Sequence, residues 1–485
     1  MLPSAATMTS TAERALFVDM DGTLVSTDVL WEAFFQALKA QPWVVLLAVG
    51  WLLRGRATLK DELAKRVTVD PGALPYRDDV IEFVRTRKAG GDTIILATAS
   101  ARAWAEPVAA HLDVFDDILA SDATNNLKGP NKLAAIEAYC SGRGLQAWGY
   151  VGDAHADLPI WDKAHEVFVV APSSALQQRV PKATQVFGKK PSLLKAAIKA
   201  MRPHQWVKNV LLWVPLMLGH GYDDPKKVFA ALIAFIAFSL TASSVYLFND
   251  MLDVGADRHH PKKKFRPFAS GALPLLFGPP MIVALLSVAL SLSLLFLPTA
   301  YLIVLVLYLA VNSAYSTSLK SKMLIDVMIL ASLYTLRIFA GGVATDLRVS
   351  EWLLAFSIFF FTSLAFAKRY VELARVAKEG KTVAKGRGYR VEDLELIISV
   401  GPTAGYLAVL VFALYINNGL PDFYVNKSLL WLTCPLLLYW ISRLWFLAKR
   451  GELDHDPVVW AVTDKASLAV GLGVGLLLIL AAPPW

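Results

Sequence analysis

Cysteines, signal-peptide features and nucleic-acid motifs are scarce or missing in this sequence, and each absence excludes a class of protein. Only two cysteines occur among 485 residues, Cys140 and Cys434, too few for a disulfide framework or a cysteine-ligated metal cluster. The N-terminus lacks a basic start followed by an apolar core, so we expect no secretory signal and a cytoplasmic N-terminal part. The net charge of +8 comes without a nucleic-acid-binding motif, so we expect no nucleic acid partner and assign the excess to basic cytoplasmic loops.

Long apolar runs are missing from roughly the first 185 residues and dominate the rest of the chain. This asymmetry predicts a multidomain protein with an N-terminal domain over 1–188, a basic amphipathic linker over 189–205 and a membrane domain over 206–485. We expect the membrane domain to be an all-α polytopic bundle of about nine transmembrane helices, because its apolar stretches approach the length that crosses a bilayer. The candidate spans are 206–219, 227–248, 276–296, 298–315, 323–343, 351–367, 397–416, 428–447 and 466–482.

Lysine and arginine are concentrated in the loops that follow the second, fourth and sixth candidate spans. Positive charge is retained on the cytoplasmic side of membranes, so these loops and the N-terminal domain are expected to be cytoplasmic. We therefore expect a multi-pass protein of the inner (cytoplasmic) membrane, with cytoplasmic active sites and, after nine spans, a C-terminus on the outside.

The N-terminal domain alternates strand-like and helix-like segments, which is typical of a Rossmann-like parallel α/β sheet. A helical insert over about residues 27–80 is expected to form a cap. Its apolar run at 43–53 is too short to cross a membrane, so it is either the core of the cap or a surface that touches lipid headgroups, and we favour the core. The predicted strands, each ending in polar or turn residues, are 15–20, 92–100, 148–154 and 166–172.

Two aspartates, Asp19 and Asp21, flank one residue at the end of the first predicted strand, in the segment FVDMDGTL (17–24). A strand-end carboxylate can attack a phosphoryl group when a metal ion cancels the repulsion between the two anions, so Asp19 is the candidate nucleophile. Asp21 is placed to protonate the leaving oxygen and then to activate water.

Companion residues follow this motif in the order that a phosphoryl-transfer site requires. Thr98, at the end of the second predicted strand, can hold a phosphoryl oxygen. A lysine near the start of a helix would offset charge in the transition state, and both Lys132 and Lys128 are candidates, with Lys132 preferred.

A later strand-end motif, VGDAHAD, carries two further acids. Asp153 would complete a metal shell with Asp19 and Asp21, and Asp157 would orient that shell. These elements resemble the haloacid dehalogenase superfamily, particularly its phosphoserine-phosphatase-like members with a helical cap, over residues 14–188. The resemblance implies a Mg²⁺-dependent phosphomonoesterase that forms an aspartyl-phosphate on Asp19.

The second candidate span ends in a stripe of oxygen ligands. Asn249, Asp253 and Asp257 are spaced i, i+4 and i+8, which predicts one helix face, and Asp250 lies beside it. Such a stripe fits a Mg²⁺ ion that bridges to a diphosphate. The pattern resembles the UbiA superfamily of intramembrane prenyltransferases over residues 200–482, which implies nine helices around a central cavity with the acidic motifs at its cytoplasmic mouth.

The second UbiA motif usually pairs two acids four residues apart, but here Asp326 is followed by Leu330, which argues against a two-Mg²⁺ prenyl-diphosphate site. The segments MRPHQWVKN (201–209) and DRHHPKKKFRPFASG (257–271) resemble the decaprenyl-phosphate phosphoribosyltransferase branch, which joins a polyprenyl phosphate to 5-phosphoribosyl diphosphate. By this resemblance, the substrate-binding candidates are Arg202, Lys208, Arg266, Tyr315, Lys320, Lys322, Asp326, Lys368 and Arg369.

Together the two resemblances imply a bifunctional enzyme with Mg²⁺ at both sites. The membrane half would transfer 5-phosphoribose from phosphoribosyl diphosphate to a polyprenyl phosphate lipid, and the soluble half would remove the 5-phosphate for envelope glycan synthesis. The alternative is a UbiA-type prenyltransferase that uses a prenyl diphosphate and an aromatic acceptor beside a separate or regulatory phosphatase domain. The sequence leaves open whether the protein is a monomer or a homo-oligomer.

Overall fold

The computed structural model describes residues 14–383, 386–419, 424–453 and 456–482. These residues form two compact units. The first unit contains the described chain up to Ala200 together with Leu247–Met281, and the second contains Met201–Tyr246 and the described chain from Ile282 onward. The segment Leu247–Met281 therefore belongs to the same unit as the N-terminal domain, although it lies within the apolar half of the sequence.

A six-stranded parallel sheet forms the centre of the first unit, with strand order β3-β2-β1-β4-β5-β6. Successive β1 residues face opposite cores, with Leu16 and Val18 on the cap side and Ala15 and Phe17 on the other. Four strands correspond to the predicted runs, whereas β3 and β6 were not predicted. The strands are β1 (Arg14–Val18), β2 (Thr93–Ala101), β3 (Asp117–Ser121), β4 (Ala147–Gly152), β5 (Glu166–Val170) and β6 (Gln185–Phe187).

Helices cover the sheet and build the insert that follows β1. The insert contains α1 (Val29–Ala40), α2 (Val44–Arg54) and α3 (Arg56–Ala64). The Asp28 side chain caps α1 by accepting a hydrogen bond from the Leu30 amide at 3.0 Å. The other helices of this part are α4 (Asp78–Ala89), α5 (Arg102–Leu112), α6 (Pro130–Arg143), α7 (Leu158–Lys163), α8 (Ser174–Arg179) and α9 (Leu193–Met201).

The predicted assignment of the apolar run 43–53 to the core of the cap is wrong for most of its length. Val44, Ala48 and Trp51, which share one face of α2, are buried. The remaining large apolar side chains of the run are exposed. The run is apolar on all sides of the helix, and only the side that faces the neighbouring layer of the cap can be buried against it.

The apolar half of the chain is helical. Seven helical segments of the described residues are long and apolar enough to cross a membrane: Pro225–Leu252, Leu275–Phe296, Thr299–Thr317, Ile325–Thr345, Glu351–Lys378, Val391–Asn418 and Lys427–Arg450. The first predicted span, 206–219, is instead a succession of short helices, and the last is a helix of 17 residues. The α-helices are α10 (Val214–Leu218), α11 (Pro225–Leu252), α12 (Val254–Arg258), α13 (Gly278–Phe296), α14 (Thr299–Thr317), α15 (Ile325–Thr345), α16 (Glu351–Lys378), α17 (Leu394–Asn418), α18 (Thr433–Arg450), α19 (Pro457–Ala461) and α20 (Lys465–Ala481).

Candidate functional site

The carboxylate of Asp19 lies at the carboxyl end of the sheet, immediately after β1. Its amide donates to the Val151 carbonyl at 3.0 Å, which fixes Asp19 beside the end of β4. One carboxylate oxygen, Oδ1, accepts from the Met20 amide at 2.8 Å, and the other, Oδ2, lies 2.9 Å from Nζ of Lys132. The strand end therefore presents a buried carboxylate that one cation already contacts.

Lys132 lies in the first turn of α6 and its side chain is only 3% exposed. Its Nζ also donates to the Tyr150 hydroxyl at 2.9 Å and lies 3.8 Å from Oδ1 of Asp157. Burial alone would lower the pKa of Lys132, but the nearby carboxylates of Asp19 and Asp157 raise it, so the side chain stays charged. Lys128, the other predicted candidate, is exposed.

Three carboxylates, those of Asp19, Asp153 and Asp157, offer oxygen atoms that all lie within 4.8 Å of one another. Burial raises the pKa of Asp19 to about 7 and that of Asp153 to about 8, and mutual repulsion adds to both shifts. A cation bound among these oxygens would relieve that repulsion, and carboxylate oxygens are the ligands that Mg²⁺ prefers. The residues present therefore fit a magnesium ion.

Gly22 makes room for this arrangement. A Cβ atom at this position would meet Oδ2 of Asp153 at 2.2 Å, and its φ of +78° is one that side chains other than glycine rarely adopt. The next residue, Thr23, donates from Oγ1 to Oδ1 of Asp153 at 3.4 Å. Because residue 22 is a glycine, the loop that follows Asp19 can pass close to the carboxylate of Asp153.

The Asp21 side chain is turned away from the three carboxylates. Oδ1 accepts from the Val29 amide at 2.9 Å, and Oδ2 accepts from the Ser100 hydroxyl at 2.5 Å. Burial, together with the charge of Asp28, raises the pKa of Asp21 to about 7. A carboxyl group with such a pKa can both give and take a proton near neutral pH.

Thr98 and two residues not predicted from the sequence complete this region. Thr98 is fully buried in β2, three residues before the strand ends, and its Oγ1 accepts from the Ser100 amide at 3.0 Å. Lys60 of α3 is buried and donates to the Ala99 carbonyl at 2.5 Å and to Asn126 Oδ1 at 2.8 Å. No sequence motif marks either residue. The packing of the cap onto the sheet brings Lys60 near Asp21, and the pairing of β1 with β2 brings Ser100 there.

The acidic stripe at the end of α11 is interrupted. The helix ends at Leu252, and Asp253, with φ −103° and ψ 9°, separates it from α12. The helix predicted to carry Asn249, Asp253 and Asp257 on one face is therefore interrupted at Asp253. Its hydrogen-bond pattern continues across the interruption, because the Asp253 amide donates to the Asn249 carbonyl at 3.0 Å and the Asp257 amide donates to the Asp253 carbonyl at 2.8 Å. The spacing of four residues between these side chains predicted the helical hydrogen bonds but not the interruption at Asp253.

Asp250 and Asp257 share one arginine. Nη1 of Arg266 lies 3.2 Å from Oδ1 of Asp250 and 2.6 Å from Oδ2 of Asp257, and both carboxylates are buried. Burial raises the pKa of Asp257 in spite of this arginine. Arg266, predicted to hold substrate phosphate, thus contacts the acids that the sequence assigned to a metal. Asn249 and the three acids carry the oxygen donors that Mg²⁺ prefers, but among the described residues their carboxylates do not come together as those of the first unit's three aspartates do.

The cap contacts this acidic segment within the first unit. Lys39 of α1 donates to Oδ1 of Asp253 at 2.5 Å. Glu32 of α1 accepts two hydrogen bonds from Arg258, at 2.7 and 2.5 Å, with both side chains largely buried. A bidentate arginine–carboxylate pair is directional as well as strong, so it fixes α1 against α12.

In the second unit, Asp326 is the acid of a fully buried ion pair. Its Oδ2 lies 2.8 Å from Nε of Arg369, and Oδ1 accepts from the Tyr389 hydroxyl at 2.8 Å. Tyr389 in turn accepts from the Leu324 amide at 2.9 Å, immediately before α15. Asp326 is therefore neutralised by Arg369, and Leu330 takes the place of a second acid.

Further polar groups surround this pair. The Tyr315 hydroxyl accepts from Nη2 of Arg369 at 3.3 Å and from Nη1 of Arg387 at 3.0 Å. Glu372 also contacts Arg369 and lies 3.6 Å from Arg387. Arg387 was not predicted, because it lies in a loop with no recognisable motif.

In a second basic cluster of this unit, two lysines contact one acid that was not predicted as a site residue. Asp456 accepts from Nζ of Lys208 at 2.5 Å and lies 3.5 Å from Nζ of Lys368. Burial opposes the shift, but these two lysines hold the pKa of Asp456 well below its usual range. Of the other predicted substrate-binding residues, Arg202 lies over the ring of Tyr246, Lys320 is half-buried and Lys322 is exposed.

Comparisons with known proteins recover both halves of the chain. The family model of haloacid dehalogenase-like hydrolases matches residues 16–161, and that of the UbiA prenyltransferase family matches residues 210–465. An uncharacterized protein of Sinorhizobium fredii is 35% identical over 463 residues, which cover 94% of this chain and 89% of that protein. The combination of both halves therefore also occurs in that relative.

One characterised relative matches the second half. The decaprenyl-phosphate phosphoribosyltransferase of Mycobacterium tuberculosis is 36% identical over 293 residues, which cover 58% of this chain and 96% of that protein. Among solved structures, a UbiA homolog from Archaeoglobus fulgidus bound to DMAPP and Mg²⁺ covers 59% of this chain and 97% of its own, at 14% identity and a TM-score of 0.44.

Proposed function

Because the chain belongs to the UbiA prenyltransferase family and carries a haloacid dehalogenase-like hydrolase domain ahead of it, we propose that it catalyses two consecutive steps on one lipid. The membrane half transfers 5-phosphoribose from phosphoribosyl diphosphate to a polyprenyl phosphate and releases diphosphate. The hydrolase half then removes the 5-phosphate, which leaves polyprenyl-phosphoryl ribose as a sugar donor for envelope glycans.

The observation that carries this proposal is the coexistence in one chain of a phosphoribosyltransferase-like membrane half and the buried Asp19–Lys132 constellation. The product of the first step retains a phosphomonoester, which is the substrate that the second site would require. The alternative transfer of a prenyl group to an aromatic acceptor leaves no such substrate for Asp19. The buried pairing of Asp326 with Arg369 also agrees better with a site that differs from a two-metal prenyl-diphosphate site.

In the proposed hydrolysis, an Asp19 oxygen attacks phosphorus and the bond between phosphorus and the ribose oxygen breaks. Asp21, oriented by Ser100 and the Val29 amide, gives its proton to that oxygen. Asp21 then takes a proton from water as the water oxygen attacks phosphorus, which releases phosphate and restores Asp19. Lys132 offsets the charge that develops on the phosphoryl oxygens.

We propose that Asp19 and Asp153 hold a magnesium ion in this domain and that Asp157 orients the surrounding groups, with Tyr150 fixing Asp157 through a 2.9 Å hydrogen bond. When bound, the ion supplies the positive charge that lets a carboxylate approach a phosphate. Thr98 of β2 holds a phosphoryl oxygen in this scheme.

For the transferase step, we propose that Asn249, Asp253 and Asp257 are the magnesium ligands and that Asp250 supports them. Arg202, Lys208, Lys320, Lys322, Lys368 and Arg369, with Tyr315, are proposed to bind the phosphates and hydroxyls of the substrates. The donor carries a 5-phosphate as well as a diphosphate, so it requires more cationic groups than a prenyl diphosphate does. The acceptor phosphate is already an anion, so no general base is needed.

We further propose that both steps occur on the cytoplasmic face of the inner membrane. The supporting observation is the concentration of lysine and arginine in alternate loops of the membrane half.

A double-label assay tests the scheme. The purified chain, reconstituted with polyprenyl phosphate and Mg²⁺, receives a donor labelled with ¹⁴C in the ribose and ³²P in the 5-phosphate. We expect the wild-type lipid product to carry ¹⁴C and the ³²P to appear as free phosphate. Asp19→Asn should give a lipid that retains both labels, whereas Asp162→Asn, on the exposed side of α7, should behave as wild type.

Two results would contradict the scheme in different ways. If Asp19→Asn gave the wild-type lipid, the hydrolase domain would not act on its neighbour's product. If no ¹⁴C entered the lipid while a prenyl diphosphate was consumed with an aromatic acceptor, the membrane half would be a prenyltransferase.

A further inference from the structure

One helix of the cap exposes an apolar surface that the proposed chemistry does not use. In α2, Val44, Ala48 and Trp51 face the interior of the first unit. The opposite side of this helix, including the residue that precedes it, presents large apolar side chains to solvent: Trp43, Val45, Leu46, Leu47, Val49, Leu52 and Leu53.

The exposure of this surface is extensive for a water-soluble domain. Leu46 is 77% exposed and Leu53 is 85% exposed. Scattered exposed leucines are ordinary, but a contiguous apolar face on one helix marks a surface that another apolar phase covers. At 11 residues α2 is too short to cross a bilayer, so it could only lie along one.

The ends of the helix carry the groups that suit a bilayer surface. Trp43 precedes the first turn, and tryptophan is enriched where headgroups meet acyl chains. Arg54 lies in the last turn and Arg56 follows two residues later; both are exposed and would meet anionic headgroups. An apolar face bordered by tryptophan and arginine is the pattern of a helix that binds in the membrane interface.

The same chain supplies the reason to choose a bilayer over another partner. Seven of its described helices are long and apolar enough to cross a membrane, so a bilayer is always tethered to the first unit. The tether is short and basic: α9 carries Lys195 and Lys199, and 23 residues separate Met201 from the start of α11 at Pro225. Covalent tethering gives a high effective concentration of bilayer around α2 without any further contact.

We propose that α2 docks along the surface of an anionic bilayer, with its exposed apolar side chains at the boundary between headgroups and acyl chains. This inference goes beyond the proposed function, since it requires neither of the two reactions. It assigns to the cap the role of holding the first unit at the lipid surface.

Site-directed spin labelling of the full chain in vesicles of phosphatidylethanolamine and phosphatidylglycerol tests the docking. Labels are placed one at a time through Leu46→Cys and Leu53→Cys, in a chain whose two native cysteines are replaced by alanine. Ser141→Cys is the matched control, because it is exposed and lies near the end of α6, at the edge of the sheet opposite the cap. Collision rates with dissolved oxygen and with a water-soluble nickel chelate report the depth of each label.

We expect the ratio of oxygen to nickel collisions at positions 46 and 53 to exceed that at position 141 by about threefold or more, as for side chains below the headgroups. A ratio equal to that of the control would overturn the proposal. Dipolar broadening that disappears when labelled chains are diluted with unlabelled ones would assign the surface to a second copy of the chain, and this also overturns it. Leu52→Cys provides an independent position if one of the two variants does not fold.

A functional comparison adds a second measurement, and it rests on the proposed function. Leu46→Asp/Leu53→Asp should leave hydrolysis of a water-soluble phosphomonoester within about twofold of wild type and slow that of a bilayer-embedded phosphomonoester by about tenfold or more. Equal slowing of both substrates would contradict docking. If the wild type hydrolysed neither substrate, the proposed function would fail while the depth measurement would still decide the docking.

Discussion

Replacing Lys132 by methionine removes the positive charge and keeps the length of the side chain, so it measures what the ammonium group contributes. Nζ of Lys132 lies 2.9 Å from Asp19 Oδ2 and 3.8 Å from Asp157 Oδ1, and the side chain is 3% exposed. Removing one partner of such a buried pair costs about 3–5 kcal/mol, because the remaining charge is left uncompensated. Asp19 limits that cost by taking up a proton, since its pKa is already raised to about 7.

The catalytic consequence is larger than the consequence for folding. Loss of one preorganised charge aimed at a developing anion typically reduces kcat by about 10²–10³-fold. Lys132 lowers the pKa of Asp19, so its removal should also move the acidic limb of the kcat/KM profile to higher pH. Hydrolysis of a water-soluble phosphomonoester at saturating Mg²⁺, measured across pH, reports both effects.

Lys128→Met is the matched control, because Lys128 is exposed on the same loop–helix segment. We expect it to reduce kcat by less than about fivefold, as is usual for a solvated charge. A wild-type kcat in Lys132→Met, or a larger loss of kcat in Lys128→Met than in Lys132→Met, would refute the catalytic role of Lys132. An unchanged acidic limb in Lys132→Met would show that Lys132 does not set the ionisation of Asp19.

Three further outcomes follow from the geometry. Glu32→Gln should lower the free energy of unfolding by about 3 kcal/mol and speed hydrogen exchange in α12, because it leaves the buried Arg258 without its charged partner. The control Lys65→Ala removes an exposed ion pair and should not speed that exchange. Equal protection of α12 in both variants would contradict the role of the buried pair. Burial raises the pKa of Asp153 to about 8 and favours its protonated form in the folded state. Without metal, the hydrolase domain should therefore lose stability in calorimetry as pH rises from about 4 through about 8, and added Mg²⁺ should stabilise it more at high pH. A stability that rises with pH in the absence of metal would contradict this assignment of the Asp153 pKa. Asp456→Asn weakens the contact that holds Lys208, so it should raise the KM for the ribosyl donor about tenfold and leave phosphomonoester hydrolysis unchanged. An unchanged KM would count against donor binding at the cluster of Lys208, Lys368 and Asp456.

Local sequence patterns predicted the elements that depend on neighbouring residues. Apolar runs that end in polar or turn residues predicted four parallel strands and placed Asp19 and Asp153 at one edge of the sheet. Hydropathy predicted the long helices of the membrane half, although two of the nine predicted spans, 206–219 and 466–482, are not among the seven long helices of the described residues. Hydrophobic periodicity and strand-end polarity are properties of a few consecutive residues, so one sequence suffices to recognise them.

Only the tertiary structure decided which groups meet across long separations. Tyr150, Ser100 and Asp456 reach charged partners through packing, and nothing in their local sequence signals those contacts. Packing likewise brings the charged Lys60 to the side chain of Asn126. The same holds for Leu247–Met281, which belongs by sequence to the apolar half but packs in the first unit.

The alternation of strand-like and helix-like segments in the N-terminal part, and the long apolar runs that begin only after it, determined from the sequence alone that an α/β domain precedes the apolar helices. The sequence also determined which acids end the strands, because strand ends are local features. It could not determine that one face of α2 is exposed, or that Arg266 and Lys39 contact the acids of the 249–257 stripe. Burial and ion pairing depend on the whole packed chain, and the free energy of a charge is set by the partners that packing brings to it.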